Sequence, residues 1–94
     1  IQAYSFVSEV LGLEPMVDKW ASFGFAVQEV NGHDVSELDK IFSQLPLDKE
    51  KPTALICHTI KGKGVKAFEG NPAWHARKIK GEEMEIGKRE LGLA

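Results

Sequence analysis

The 94-residue sequence has little of what marks several common classes of protein. It contains one cysteine, Cys57, so no disulfide can form within the chain, and this favours a reducing, cytoplasmic compartment. No apolar run approaches the ~18 residues of a membrane span, and the first residues lack the basic region and cleavage site of a secretory signal. The formal net charge is only −2, so no overall electrostatic attraction to nucleic acid or to an anionic membrane is expected. No cysteine and histidine cluster has the spacing of a metal site.

What the sequence does have is an alternation of helical and extended patterns within one small domain. Pro15 suits a first helical position, and Gly24 suits a helix end because glycine readily takes a positive φ. Asp34 followed by Glu37 has the spacing of a capping box. The pattern predicts, in order, a helix from Pro15 to Gly24, a strand at 25–30, a helix at 35–45, a strand at 53–60, a loop at 61–72 and a charged helix at 81–91.

The alternation predicts an α/β fold, part of a parallel sheet with helices on both faces. The strand at 53–60, TALICHTI, is almost wholly apolar, as in a strand that is buried on both sides. A covered parallel sheet needs several strands, whereas this sequence supplies two. We therefore expect residues 1–94 to be a single incomplete domain, and the start at Ile1 rather than at methionine agrees with a piece of a longer polypeptide.

The loop after the second predicted strand is the strongest candidate for a binding site. Ligands of α/β sheets bind beyond the carboxyl ends of the strands, and here the sequence reads Lys61-Gly62-Lys63-Gly64. Glycines let backbone N–H groups approach a phosphate, and the lysines add positive charge. The segment is neither a P-loop nor a dinucleotide fingerprint. From spacing alone, a flexible solvated turn remains the alternative.

A second candidate is His75, in the segment Asn-Pro-Ala-Trp-His at 71–75. Histidine exchanges protons near neutral pH, and beside Trp74 we expect its ring to be ordered and partly desolvated. A surface histidine next to a packed tryptophan is the alternative. His33 is interpreted as a turn residue and His58 as a satisfied core or edge histidine.

Several of these stretches together resemble transketolase, especially its split form with a separate N-terminal subunit. The matching stretches are EPMVDKWASFGFAVQEVNGHDVSEL at 14–38, KPTALICHTIKGKGV at 51–65, Glu69, and Trp74-His75. The resemblance implies the second half of a domain that binds the diphosphate of thiamine diphosphate. It also implies transfer of a two-carbon ketol unit between sugar phosphates in the pentose phosphate pathway, with thiamine diphosphate and Mg²⁺ as cofactors.

The resemblance also implies roles for individual residues. Lys61 and Gly62 match positions that contact thiamine diphosphate. His75 matches a histidine over the diphosphate and the substrate channel, where it assists proton transfer on sugar hydroxyls. Ile1 matches a position whose backbone carbonyl coordinates Mg²⁺. Arg77 falls near the substrate entrance.

Parts of the family pattern are not in this sequence. The segment that supplies a metal-binding aspartate and asparagine would precede Ile1, and the glutamate that activates the aminopyrimidine belongs to the following domain or subunit. The resemblance therefore implies two partners, the rest of the diphosphate domain and the pyrimidine-binding C-terminal subunit, in a dimer or heterotetramer, with no activity for this chain alone. After His75 the sequence departs from the family with Ala-Arg-Lys-Ile at 76–79. A non-catalytic assembly module with the same fold, and a generic phosphate-binding α/β protein, remain as alternatives.

Overall fold

A computed structural model describes residues 1–93 of the chain, and Ala94 lies outside the described residues. The chain divides into two compact units, one formed by residues 13–59 and the other by residues 1–12 together with the segment from Ile60 onward. The elements, in chain order, are α1 (Val7–Val10), α2 (Met16–Ser22), β1 (Ala26–Asn31), α3 (Val35–Ser43), β2 (Thr53–His58), a 3-10 helix (Pro72–His75) and α4 (Glu82–Glu90).

The unit formed by residues 13–59 is a βαβ arrangement. Strands β1 and β2 pair in parallel, with Ala26 opposite Thr53 and Asn31 opposite His58. Helix α3 connects the two strands in sequence, and both α2 and α3 contact β1. The predicted α/β class with parallel strands is therefore confirmed.

The predicted ends of the strands need correction. Strand β1 runs one residue later than predicted, at Ala26–Asn31, and β2 ends at His58 rather than at residue 60. The reason is the turn after β1, in which the Asn31 side chain accepts a hydrogen bond from the His33 N–H at 3.0 Å. The Gly32 N–H still donates to the His58 carbonyl at 2.9 Å, and β1 has no further residue to offer β2.

Two of the helix ends also differ from the prediction. Helix α2 begins at Met16, because Pro15 has an extended conformation and the Met16 N–H is accepted by the Glu14 carboxylate at 3.0 Å. Helix α3 ends at Ser43 rather than at 45. Leu45 precedes Pro46, and the residue before a proline is disfavoured in the α conformation.

The predicted capping residues are confirmed. The Asp34 side chain accepts a hydrogen bond from the Glu37 N–H at 3.0 Å at the start of α3. Gly24 follows α2 with a φ of 88° and donates its N–H to the Ala21 carbonyl at 2.9 Å. Helix α4 is shorter than the predicted 81–91, since Gly81 takes a φ of 52° before its first turn.

The core of the unit formed by residues 13–59 is small. Val30 is its one buried hydrophobic residue among those described, with 3% of its surface exposed. In β2, residues 53–56 are half-buried while Cys57 and His58 are exposed, so burial of this strand on both faces is not reached within the chain. The cause is the two-stranded sheet, which leaves an open edge on each strand among the described residues. On α3, Leu38 and Ile41 are half-buried, whereas Phe42 is 58% exposed.

The other unit is organised around a single aromatic side chain. Phe68 and Val65 are buried, and the Phe68 and Trp74 rings lie 4.4 Å apart between centroids. Helix α4 approaches closely at Gly87, where an added Cβ would lie 3.5 Å from the edge of the Phe68 ring. Residues 61–70 form turns, as the predicted loop requires, but Pro72 already belongs to the 3-10 helix.

Candidate functional site

The segment at 61–70 is a closed loop with a defined shape. The Gly70 N–H donates to the Lys61 carbonyl at 2.9 Å and so joins the two ends of the loop. Gly62 has a φ of 76°, and a Cβ at this position would lie 2.7 Å from the Phe68 carbonyl oxygen. Only glycine therefore fits at position 62 without displacing a neighbour. Most residues of the loop are exposed, so the alternative of a solvated turn without a ligand stays open.

The two lysines at the start of this loop, Lys61 and Lys63, have different surroundings. The Lys63 ammonium lies 3.6 Å from the Glu69 carboxylate, and the same carboxylate accepts the Gly64 N–H at 3.2 Å. Lys61 is half-buried, and no carboxylate pairs with its ammonium within the part of this unit that the structure describes. Lys61 is therefore available to an external anion, and so is the exposed Lys66, whose ammonium also has no carboxylate partner within the described part of this unit.

The backbone donors of the loop divide in the same way. The N–H groups of Lys63 and Val65 donate to the carbonyls of Ile60 and Gly62, at 3.2 and 3.3 Å. The Gly62 N–H has no acceptor among the described residues of this unit. A free N–H next to a free ammonium is a suitable arrangement for a phosphate oxygen.

His75 ends a short and well-capped 3-10 helix. The Asn71 side chain accepts the Ala73 N–H at 2.9 Å, and Pro72 follows the cap with a fixed φ. Trp74 lies between Phe68 and the Arg77 guanidinium, which is 4.6 Å from the Trp74 ring centroid. The residue before His75 is thus held from both sides.

The surroundings of His75 differ from the sequence-based expectation. Trp74 is half-buried, but His75 itself is exposed, so the predicted partial desolvation is wrong for this chain. The His75 ring instead contacts Tyr4 edge-to-face, with 4.9 Å between the ring centroids. Successive side chains of a short helical turn point in different directions, and the packing of Trp74 is therefore not shared by His75.

The other two histidines lie in the unit formed by residues 13–59. His58 is exposed rather than in a core, and its ring nitrogen lies 2.9 Å from the Glu29 carboxylate on the neighbouring strand. His33 lies in the turn that follows β1, as predicted. Neither is a candidate for the site.

Arg77 is already engaged by the protein. Its guanidinium pairs with the Glu83 carboxylate at the start of α4 and stacks on Trp74. These contacts give no direct support to a position of Arg77 near the substrate entrance, which stays a prediction. They make Arg77 a link between the 3-10 helix and α4.

Ile1 is exposed and offers a single backbone carbonyl to the predicted Mg²⁺. Residues 1–93 contain no group of three or more histidine, cysteine, aspartate or glutamate side chains able to hold a metal ion. Magnesium prefers six oxygen ligands, so a site at Ile1 would need ligands from outside this chain, as the resemblance implies.

The predicted site residues all belong to one compact unit. Lys61, Gly62, His75 and Ile1 lie in the unit formed by residues 1–12 and the segment from Ile60 onward. The contact of Tyr4 with His75 was not predicted, because no local pattern connects residues so far apart in the chain. It noted Glu69 as part of the resemblance, without its contacts to the loop.

The fold and the loop are those of an α/β domain with a glycine-lysine turn after its second parallel strand. The family model for the thiamine diphosphate binding domain of transketolase matches residues 8–94, and the chain belongs to this family. The resemblance drawn from the sequence is confirmed, as is the assignment to a thiamine diphosphate binding domain of α/β class.

Curated relatives agree with this assignment. One subunit of the apulose-4-phosphate transketolase of Phocaeicola vulgatus is 37% identical over 91 residues, which cover 97% of this chain and 32% of the relative. The SqwG subunit of the 6-deoxy-6-sulfo-D-fructose transketolase of a Clostridium species is 35% identical over 97% of this chain and 33% of the relative. Mouse transketolase is 41% identical over 58 residues, or 62% of this chain and 9% of the relative. The chain spans about a third of the length of the first two relatives.

No helix within residues 1–93 is long and apolar enough to cross a membrane.

Proposed function

We propose that this chain is the second half of a transketolase diphosphate-binding domain, which acts in an assembly that transfers a two-carbon ketol unit between sugar phosphates. Lys61 and Gly62 would hold the diphosphate of thiamine diphosphate. His75 would serve proton transfer at the substrate hydroxyls. The observation that carries the proposal is the pair of neighbouring free donors at the start of the loop, the Lys61 ammonium and the Gly62 N–H, next to the N–H groups of residues 63, 64 and 65, which are satisfied internally.

The residues present fit a diphosphate group. The carbonyl of Phe68 fills the space that a side chain at Gly62 would need. Gly62 is exposed and has no side chain to cover its backbone, which is therefore accessible to an oxygen ligand. Hydrogen bonds in which one partner is ionised are shorter and stronger than neutral ones, and Lys61 offers such a bond to a phosphate. When bound, thiamine diphosphate supplies the carbanion-stabilising chemistry of the reaction.

This chain contributes orientation and proton handling. Lys61 and Gly62 would fix the diphosphate end and thereby the position of the rest of the cofactor. The exposed imidazole of His75 is accessible to a substrate and contacts the Tyr4 ring edge-to-face. A positioned histidine can take a proton from a substrate hydroxyl and return it. The Ile1 carbonyl would add one oxygen ligand to Mg²⁺ bound mainly by residues outside this chain.

The proposed partners follow from incomplete burial. An apolar β2 with an open edge, and an α3 with Phe42 exposed, need covering by further strands and helices. We propose that these come from the rest of the diphosphate domain, and that a pyrimidine-binding subunit completes the site in a dimer or heterotetramer. The names of two relatives describe each of them as one subunit of a transketolase, which supports a divided enzyme. The free thiol of Cys57 supports a cytoplasmic location. A role in the pentose phosphate pathway is proposed from the family.

A second candidate is a non-catalytic assembly module of the same fold. The contacts of Arg77 favour it, since a guanidinium bound to Glu83 and Trp74 is committed to structure rather than to substrate. The two candidates differ in turnover. Replacement of His75 by Gln in the complete assembly should leave cofactor affinity largely intact and slow the transfer reaction if the chain is part of an enzyme. No reaction in the wild-type assembly would favour the module.

The proposal is tested by replacing Lys61 with Met in the complete assembly. Loss of a charge-assisted hydrogen bond costs about 1.5–3 kcal/mol, which weakens thiamine diphosphate binding about 10- to 150-fold. The matched control is Lys51→Met, at an exposed lysine of the other unit. Isothermal calorimetry in the presence of Mg²⁺ measures both. Equal affinities of the two variants would remove Lys61 from the site.

A further inference from the structure

We infer that Glu69 is a positioning residue for the diphosphate, because it binds Lys63 and Gly64 and leaves Lys61 and Gly62 as the donors that face the ligand. This inference rests on the proposed function. It concerns the selectivity of the loop for a diphosphate and assigns no contact between Glu69 and the ligand.

The Glu69 carboxylate is itself held in place. Its backbone N–H donates to the Val65 carbonyl at 3.1 Å, and the next residue, Gly70, closes the loop onto the Lys61 carbonyl at 2.9 Å. The neighbouring Phe68 is buried. One oxygen of the carboxylate, Oε1, then accepts the Gly64 N–H at 3.2 Å and lies 3.6 Å from the Lys63 ammonium. A single side chain therefore fixes both the middle of the loop and one of its three cations.

Stability alone gives little reason for this ion pair. The side chains of Lys63 and Glu69 are 47% and 28% exposed, and solvent-exposed ion pairs contribute little to the free energy of unfolding. A carboxylate in a loop that binds an anion would also repel the ligand. Its pairing with Lys63 removes this repulsion locally, and the remaining positive charges of the loop are those of Lys61 and Lys66.

The hydrogen bonds of the backbone N–H groups also indicate that the start of the loop faces the ligand. The N–H groups of residues 63, 64 and 65 all have acceptors within the loop or at Ile60, whereas those of Lys61, Gly62 and Ala67 have none among the described residues of this unit. Without Glu69, the Gly64 N–H and the Lys63 ammonium would become competing donors. The diphosphate could then shift along the loop and lose its defined position.

The test compares four variants in the complete assembly. Glu69→Gln keeps an oxygen acceptor for the Gly64 N–H but releases Lys63, while Glu69→Leu removes both contacts. Lys63→Met removes the cation alone. Glu82→Gln, at an exposed carboxylate of α4, is the matched control. Calorimetry gives the affinities for thiamine diphosphate and for thiamine in the presence of Mg²⁺, and the ratio of the two measures recognition of the diphosphate.

The expected ratio falls about threefold in Glu69→Gln and about tenfold in Glu69→Leu, as for the loss of one or two modest polar interactions. It falls about threefold in Lys63→Met, because the Glu69 carboxylate loses its counter-charge, and changes less than about twofold in Glu82→Gln. Amide hydrogen exchange at Gly64 should be faster in Glu69→Leu than in the wild type. The direction is informative, because removal of a negative charge near an anion would by itself tighten binding.

The outcomes separate this inference from the proposed function. A wild-type assembly with no preference for thiamine diphosphate over thiamine would overturn both. A normal wild-type preference that is unchanged or increased in Glu69→Leu would overturn the role of Glu69 alone. So would an equal loss of affinity for both ligands together with a lower melting temperature, since that describes a general structural role. A loss above about tenfold in Lys63→Met would overturn it too, because Lys63 rather than Lys61 would then face the ligand.

Discussion

Replacement of Gly62 by Ala is the sharpest perturbation of the loop, because two separate costs meet at this residue. The φ of 76° places an alanine in the left-handed region, which costs about 1–2 kcal/mol. The added Cβ would lie 2.7 Å from the Phe68 carbonyl oxygen and 2.9 Å from its carbon. Phe68 is buried and its backbone cannot move freely, and overpacking of this kind costs about 1–3 kcal/mol. The expected destabilisation is therefore about 2–5 kcal/mol.

Gly70→Ala is the matched control for this prediction. Gly70 has a similar φ of 68°, but an added Cβ there would meet no atom within 4 Å, so only the conformational cost of about 1–2 kcal/mol applies. Urea unfolding of the complete protein, followed by tryptophan fluorescence, gives both values. The difference between the two variants isolates the close approach of Phe68. Equal destabilisation would refute the reasoning that Gly62 is required for space, and unaltered thiamine diphosphate affinity in a folded Gly62→Ala variant would refute its place in the site.

Two further predictions concern the His75 contact and the incomplete core. Tyr4→Leu removes the aromatic edge contact with His75 and should lower the turnover number about threefold, with little change in cofactor affinity. Tyr4→Phe keeps the ring and should retain activity. Steady-state kinetics and calorimetry check this, and a Tyr4→Phe variant as slow as Tyr4→Leu would contradict it. Residues 1–94 produced alone should bind a hydrophobic dye and unfold without a sharp transition, because the described residues bury few large side chains, namely Val30, Val65 and Phe68; a cooperative calorimetric transition of the isolated, monomeric chain would show that the domain is complete.

Local signals in the sequence were sufficient for the elements and their class. Asp34 and Glu37 marked the start of α3 correctly, since a helix cap depends on residues that are three apart. Gly24 marked the end of α2 for the same reason. The apolar run of β2 and its parallel pairing with β1 followed from the α/β alternation.

Errors arose where an end depends on a distant residue. Strand β2 stops at His58 because β1 turns away after Asn31, and nothing in the sequence near residue 58 encodes this. The burial of β2 could not be judged from its composition, because burial also depends on the neighbouring strands, and the described residues supply β1 alone. The end of α3 could have been found locally, since Pro46 disfavours helix at Leu45.

The site was predictable in its residue types and less so in its contacts. Lys61 and Gly62 stood out because a glycine-lysine turn after an apolar strand is a recognisable local pattern. The different roles of the two lysines depend on Glu69, and the setting of His75 depends on Tyr4. Such side-chain pairings between separate segments leave no periodicity in a single sequence.

The most direct measurement of the central claim is an experimental structure of the complete assembly with thiamine diphosphate and Mg²⁺. The account predicts a diphosphate oxygen about 2.7–3.0 Å from the Lys61 ammonium and another at the Gly62 N–H, with Lys63 still paired to Glu69. A diphosphate bound elsewhere, with Lys61 directed to a protein carboxylate or to solvent, would contradict it.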